Sequence, residues 1–136
     1  MKRNSRLSLA LHTLGHMAGD PDRARTSAQI AAHAGTNPVV VRRVLGRLRE
    51  AGLLTSERGH AGGWHLARPP QNITLADVYL ALDERLIAPD DETDTPDCSI
   101  EYALHRRVAD LMHDIERTLI ERLATTTIAD VRDAGR

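Results

Sequence analysis

Apolar residues recur at helical spacing through the first half of the chain, which predicts a series of short helices there. The first helix covers residues 5–18. The second begins behind an N-cap at Thr26 or Ser27, since hydroxyl side chains satisfy the free N–H groups of a first turn, and it runs through Ala34. Both helices are amphipathic, so each packs one side against a shared core.

The third predicted helix has the clearest pattern in the chain. Asn37 is a good N-cap, Pro38 suits a first helical position whose N–H has no partner, and Gly52 ends the helix. Its apolar residues fall at i, i+3, i+4 and i+7 and predict one buried face: Val41, Val44, Leu45 and Leu48. Its arginines lie off that stripe: Arg42, Arg43, Arg47 and Arg49.

Two β-type runs follow this helix, at residues 53–56 and 64–67. They flank a glycine-rich tip whose Gly59, Gly62 and Gly63 are expected to supply positive φ angles. Two helices joined by a short glycine-containing turn form the helix-turn-helix unit of DNA-binding proteins, and a basic hairpin after them forms a wing. The predicted fold class is therefore mostly α with a small β-hairpin, a winged helix-turn-helix.

The second half of the chain predicts a dimerisation helix. Thr74 and Asp77 form a capping box at the start of a fourth helix, and an acidic loop occupies residues 89–97. Ser99 then caps a helix of roughly 24 residues, or ~36 Å, that ends near Leu123. Its apolar stripe is too long for one small domain to cover and predicts a homodimer: Leu104, Val108, Leu111, Ile115 and Leu119, widened by Ile100, Met112 and Leu123.

These elements divide the chain into three parts. Residues 1–86 form a DNA-binding domain, residues 87–98 an acidic effector or sensor loop, and residues 99–136 the dimerisation helix with a C-terminal tail. A short turn at 127–131 precedes a polar end. A length of 136 residues suits one domain with an appended oligomerisation helix.

Charge is divided unequally along the chain, although the formal net charge is only −1. Residues 1–70 carry 11 Lys/Arg and four Asp/Glu, whereas residues 71–136 carry seven and 15. A basic first half that contains the helix-turn-helix pattern predicts contact with double-stranded DNA. No stretch approaches the ~20 apolar residues that cross a bilayer, and a single cysteine fits a reducing compartment, so we expect a cytoplasmic protein without a membrane partner.

From Ile30 through Val131 the chain resembles the Rrf-two type transcription regulators, the group that includes IscR, NsrR and CymR. The resemblance implies a homodimer with an N-terminal winged helix domain, a long crossed dimerisation helix, and a palindromic operator bound by two helices and two wings. It rests on the combined order and spacing of five segments: residues 37–45, 48–54, 58–70, 73–79 and 126–131.

Many members of this group bind an iron–sulfur cluster through three cysteines that precede the dimerisation helix. This chain departs from that pattern, because Cys98 is its single cysteine. A cluster held by several thiolates of one chain is therefore disfavoured, and no cofactor is assigned.

The resemblance places the helix from Pro38 in the major groove, where its first turns approach the base edges. Arginine can contact guanine and valine the thymine methyl group, while residues at the start of the second helix can meet a phosphate. Asn37 serves mainly as a cap, and a wing-tip residue can reach the minor groove. The predicted DNA-binding residues are Thr26, Ser27, Gln29, Asn37, Val39, Val40, Arg42, Arg43, Arg47, Arg58 and His60; Arg49 is expected to meet phosphates.

Two groups of residues are candidates for a sensor. Cys98 precedes a helix, whose positive dipole end lowers the pKa of a thiol, so an oxidisable thiol is one hypothesis. His12 and His16 stand at i, i+4, a spacing that can chelate one metal ion, and a mixed site with Cys98 across the dimer is a second hypothesis. The simpler interpretation, which the sequence favours, is that both histidines are partly packed side chains.

The leading interpretation is a sequence-specific repressor, and the main alternative is a protein-interaction module in which DNA binding is residual. A third alternative is a metal or iron–sulfur sensor that uses Cys98 with histidine ligands. An enzyme is not predicted, because no nucleophile–base pair, phosphate loop or carboxylate pair has a recognisable spacing.

Overall fold

Side-chain caps set the start of most helices in the computed structural model of the chain, which describes residues 5–57, 63–82 and 98–136. Thr26, rather than Ser27, is the N-cap of the second helix, and the predicted capping box of Thr74 and Asp77 is present. The helices are α1 (Arg6–Gly19), α2 (Ser27–Ala34), α3 (Pro38–Glu50), α4 (Leu75–Ala81), α5 (Ser99–Leu123) and α6 (Ile128–Ala134). The strands are β1 (Leu54–Ser56) and β2 (Trp64–Leu66), and a 3-10 turn covers Pro70–Asn72.

The winged helix-turn-helix fold is confirmed. The strands β1 and β2 pair antiparallel, with Leu54 opposite Leu66 and Ser56 opposite Trp64. The apolar face predicted for α3 is fully buried against α1, α2 and α4. The largest fully buried side chain in this core is that of Tyr79 in α4. The predicted acidic loop at 89–97 and the boundary at residue 86 lie outside the described residues.

The C-terminal segment is part of the same core, which corrects the prediction of a short turn and a polar tail. Thr127 caps α6 through a capping box with Asp130, and Ile128 is completely buried. The Ile128 N–H donates to the carbonyl of Ile73 at 2.8 Å, and the Arg132 guanidinium donates to the carbonyl of Ala18 at 3.3 Å. Helix α6 therefore packs against α1, so the first and last helices of the described chain are in contact.

Helix α5 differs from the other helices because it buries no residue. Only its last turns pack on the domain, where Leu119, Ile120 and Leu123 are partly covered and Glu116 accepts a hydrogen bond from the Tyr79 hydroxyl at 3.5 Å. Ser99 is the first residue of α5 rather than its cap, because the backbone of Cys98 is extended (φ −103°, ψ 128°). None of the described helices is long and apolar enough to span a membrane.

Candidate nucleic-acid interface

The turn between α2 and α3 fixes the angle between the two helices of the helix-turn-helix unit. Gly35 adopts the left-handed conformation (φ 71°), which ends α2, and the N–H of Thr36 donates to the carbonyl of Ala31 at 3.0 Å. Asn37 then accepts a hydrogen bond from the N–H of Val40 at 3.1 Å. The predicted capping role of Asn37 is confirmed, and this use of its side-chain oxygen leaves its amide NH₂ as the group that can face a base.

The far end of α3 is fixed as firmly as its start. Gly52 is left-handed (φ 78°), its N–H donates to the carbonyl of Arg49 at 2.9 Å, and the N–H of Leu53 donates to the carbonyl of Leu48 at 2.9 Å. This pair of hydrogen bonds is the Schellman arrangement of a helix C-terminus. Helix α3 is therefore capped at both ends and presents its outer face on a rigid support.

The outer face of α3 carries the predicted base-reading residues. Val39 is 57% exposed, and Arg42 and Arg43 are exposed one turn further on. Within the described parts of the chain, neither arginine has a hydrogen-bond or ion-pair partner, so both guanidinium groups are available to a ligand. Val40, which was also predicted to contact DNA, is less accessible than Val39 because it is half-buried and packs partly against the core.

The later arginines of α3 are more constrained. Arg49 donates to the Ser56 hydroxyl at 3.0 Å, and its guanidinium lies 5.8 Å from the centre of the Trp64 ring. It therefore joins α3 to both strands of the hairpin, a role that the sequence did not predict. Arg47 is also exposed.

The start of α2 uses its polar side chains internally. Thr26 accepts from the N–H of Gln29 at 3.1 Å, and Gln29 accepts from the N–H of Thr26 at 3.0 Å. Ser27 accepts from the indole N–H of Trp64 at 3.0 Å. The N–H groups of Ser27 and Ala28 are then the first-turn donors that α2 offers to a phosphate.

Trp64 anchors the hairpin, and the backbone of Arg25 completes the anchor. The Trp64 N–H donates to the Arg25 carbonyl at 2.9 Å, and the Arg25 N–H donates back at 3.4 Å. Gly63 packs so closely here that an added Cβ would stand 2.8 Å from the Arg25 carbonyl oxygen. The expectation of positive φ at Gly63 is wrong: its missing side chain is needed for this close approach.

The tip of the wing, with Gly59 and Gly62 and the predicted DNA contacts Arg58 and His60, lies outside the described residues. Below the tip, the imidazole of His65 stands 3.8 Å from a carboxylate oxygen of Glu57. Strands β1 and β2 are held against α3 by the contacts of Arg49 with Ser56 and Trp64.

The sensor candidates occupy two separate places. Cys98 is exposed immediately before α5. His12 and His16 lie on one face of α1, with ring centres 4.6 Å apart, and His33 of α2 joins them. The sequence did not predict this third histidine, since no local spacing relates it to α1. Among the described residues, Cys98 is not part of the group.

Comparisons with known proteins agree with this architecture. Residues 3–134 match the sequence model of a family described as Rrf2, iron-dependent transcriptional regulator. YwnA of Bacillus subtilis (strain 168), provisionally described as an HTH-type transcriptional regulator, is 34% identical over 131 residues, which cover 94% of this chain and 95% of YwnA. A crystal structure provisionally described as that of a DNA-binding protein is 31% identical, with a TM-score of 0.75, and the match covers 93% of this chain and 98% of that one.

The structure of CymR (YrzC), the global cysteine regulator of B. subtilis, is similar in fold. It matches with a TM-score of 0.65 and 21% identity, and the match covers 98% of each chain. The iron named in the family description does not fit this chain as a cluster bound by three thiolates, because Cys98 is the one cysteine in the sequence.

Proposed function

This chain belongs to the Rrf2 family and is a DNA-binding transcriptional regulator, and from that premise we propose that it represses transcription as a homodimer. In this proposal two copies of α3 read the half-sites of a palindromic operator in cytoplasmic DNA. A dimer that covers an operator inside a promoter blocks access to that promoter.

The observation that carries the proposal is the outer face of α3. Its first turns present an exposed valine, Val39, beside two guanidinium groups with no partner in the described chain, Arg42 and Arg43. Arginine recognises guanine through two parallel hydrogen bonds, and valine matches the thymine methyl group. These residues suit base readout, while Arg47 and the N-terminus of α2 suit phosphates.

The dimer is proposed from the apolar stripe of α5. Six large apolar side chains at helical spacing are exposed on one side of it: Ile100 (71%), Leu104 (60%), Val108 (49%), Leu111 (52%), Met112 (44%) and Ile115 (55%). Burying such a side chain fully is worth about 1.5–3 kcal/mol, so leaving six in water is costly. A second α5 crossing the first supplies an equally long apolar stripe, and a two-fold axis buries both at once.

Selection of DNA from a random library tests the function. Purified protein should enrich an inverted repeat whose half-sites are centred one or more helical turns apart, about 10 bp or a multiple of it, with two chains bound per duplex. A single unrepeated half-site would contradict the palindromic reading. No enriched sequence at all would overturn the proposal and favour the alternative, a protein-interaction module with residual DNA binding.

Cys98 is the group that we propose makes the regulator redox-responsive. Its thiol has a lowered pKa, because the backbone N–H groups of Glu101 and Ile100 at the start of α5 stabilise the thiolate. A lowered pKa increases the thiolate fraction at neutral pH, and the thiolate is the species that peroxide and alkylating agents attack. Its place beside the proposed dimer helix would let oxidation alter the spacing of the two DNA-binding domains.

The rate of iodoacetamide alkylation measures this property. At pH 7, Cys98 should react faster than a model thiol such as glutathione, and the advantage should disappear above about pH 9, where both thiols are ionised. The hypothesis fails if Cys98 reacts no faster at pH 7, or if the Cys98→Ser variant loses operator binding to peroxide as the native protein does.

A further inference from the structure

Three histidine side chains meet at the contact between α1 and α2. His12 and His16 come from successive turns of α1, and His33 comes from the last turn of α2. The ring centres of His16 and His33 are 4.4 Å apart, and those of His12 and His33 are 5.3 Å apart. One nitrogen from each ring lies within 4.8 Å of the other two, and all three residues are exposed.

We propose that His12, His16 and His33 form a binding site for one divalent transition-metal ion, of the class that prefers imidazole ligands, within a single chain. The site is separate from α3 and does not involve Cys98. It therefore differs from a cluster site in the loop before α5, and it does not depend on the repressor function.

The nitrogen positions are already close to those that a metal requires. A zinc–nitrogen bond is about 2.0–2.1 Å long, so two nitrogens on a tetrahedral ion stand about 3.3 Å apart. The Nε2 atoms of His16 and His33 are 3.1 Å apart. Because the side chains are exposed, they are free to rotate about their own bonds, and rotation of His12 can bring its nitrogen closer to the other two.

Without a metal ion, this short distance is a hydrogen bond in which one Nε2 carries the proton and the other accepts it. Both nitrogens can bind a metal ion only when each presents a lone pair. The donor ring must therefore shift its proton to Nδ1, a change of tautomer that needs no net proton release. At these two nitrogens, metal binding thus replaces one hydrogen bond with two coordinate bonds, and His12 supplies a third.

Binding of a metal ion at this cluster depends on pH. A neutral imidazole is the form that ligates a metal. Lowering the pH to about 5 should release the ion, because protons then compete for the three nitrogens.

Arginines near the three histidines influence which metal ion binds and which ligand occupies its fourth coordination position. Arg25, which donates to the His16 carbonyl at 3.0 Å, and Arg23 line the same cleft. Arg132 and Arg136 of the C-terminal segment line a neighbouring cleft that His12 and His16 also border. Their positive charge disfavours a weakly bound cation such as Mg²⁺, which prefers oxygen ligands in any case. It favours an anion or a hydroxide in the open fourth position.

Isothermal titration of the full-length protein with Zn²⁺ alone tests the site, with Co²⁺ as a spectroscopic probe of geometry. We expect one ion per chain, and visible absorption by bound Co²⁺ typical of nitrogen ligands in a tetrahedral arrangement. His33→Gln should weaken binding about 100-fold, since loss of even an outer partner of a metal ligand costs 10–100-fold. His113→Gln, which changes an exposed histidine on α5, should have no effect.

A third variant separates this site from the alternative across the dimer. Cys98→Ser should bind Zn²⁺ as the native protein does, because its thiol is not part of the described cluster. The proposal is overturned if binding is not saturable, if His33→Gln binds as tightly as the native protein, or if Cys98→Ser loses binding while His33→Gln keeps it. Circular dichroism of the three variants should be unchanged, since each side chain is exposed.

Discussion

Leu111→Asp is expected to convert the proposed dimer into a monomer. Leu111 lies at the centre of the α5 stripe and is 52% exposed in the single chain. In the dimer, two new carboxylates would be buried close together without partners, and each would cost several kcal/mol. The dissociation constant of the dimer should rise by more than about 100-fold.

Light scattering after gel filtration measures this change, because the mass should fall from twice the chain mass to 15.0 kDa. Operator affinity should fall with it, since two half-sites are no longer bound together. His113→Asp is the matched control, because two residues of helix turn it about 200° away from Leu111. If the Leu111→Asp variant remained dimeric, the result would show that α5 does not form the dimer interface.

Arg43→Ala is expected to abolish discrimination between the operator and scrambled DNA. A bidentate arginine–guanine contact contributes about 1–3 kcal/mol of specificity, or about 10- to 100-fold for each half-site. Because Arg43 is exposed and has no partner among the described residues, its removal leaves the fold intact. Affinity for scrambled DNA should change little.

Arg49→Ala is the comparison for this prediction. It should weaken binding to operator and scrambled DNA equally. The slope of log K against log salt concentration should become shallower by about one for each phosphate that the protein no longer neutralises. The bonding of Arg49 to Ser56 and its stacking on Trp64 add a second reason for a general decrease, since the wing is then held less firmly. A fluorescence-anisotropy salt titration measures both variants. Equal decreases on both DNAs for Arg43→Ala would refute its assignment to base readout.

The helix starts and the faces of α3 were predictable because their signals lie within one or two turns. A cap such as Asn37 bonds three residues ahead, and the buried stripe of α3 repeats every three or four residues. The N-cap of α5 was predicted at Ser99, one residue after the observed cap Cys98, because cysteine is not among the residues that usually cap a helix. The C-terminal helix α6 was underestimated because a seven-residue helix has little periodicity of its own.

Contacts between distant residues were not predictable, and they define the rest of the site. Trp64 reaches Ser27 across 37 residues, and Gly63 is required by the backbone of Arg25 rather than by its own φ angle. Arg49 joins the hairpin because β1 and β2 fold back beside the end of α3. Each of these contacts depends on the packing of whole elements, which no spacing in the sequence records.

The amino-acid sequence by itself determined a capped helix with exposed arginines and a long helix with an uncovered apolar stripe. Both follow from local periodicity and from the separation of charge between the two halves of the chain. The tertiary structure alone decided that His33 meets His12 and His16 across 17 residues and more, and that α6 closes over α1. The reason is physical: a cap or an amphipathic stripe is fixed by neighbours in the chain, whereas a three-ligand cluster exists only once two helices pack at a definite angle.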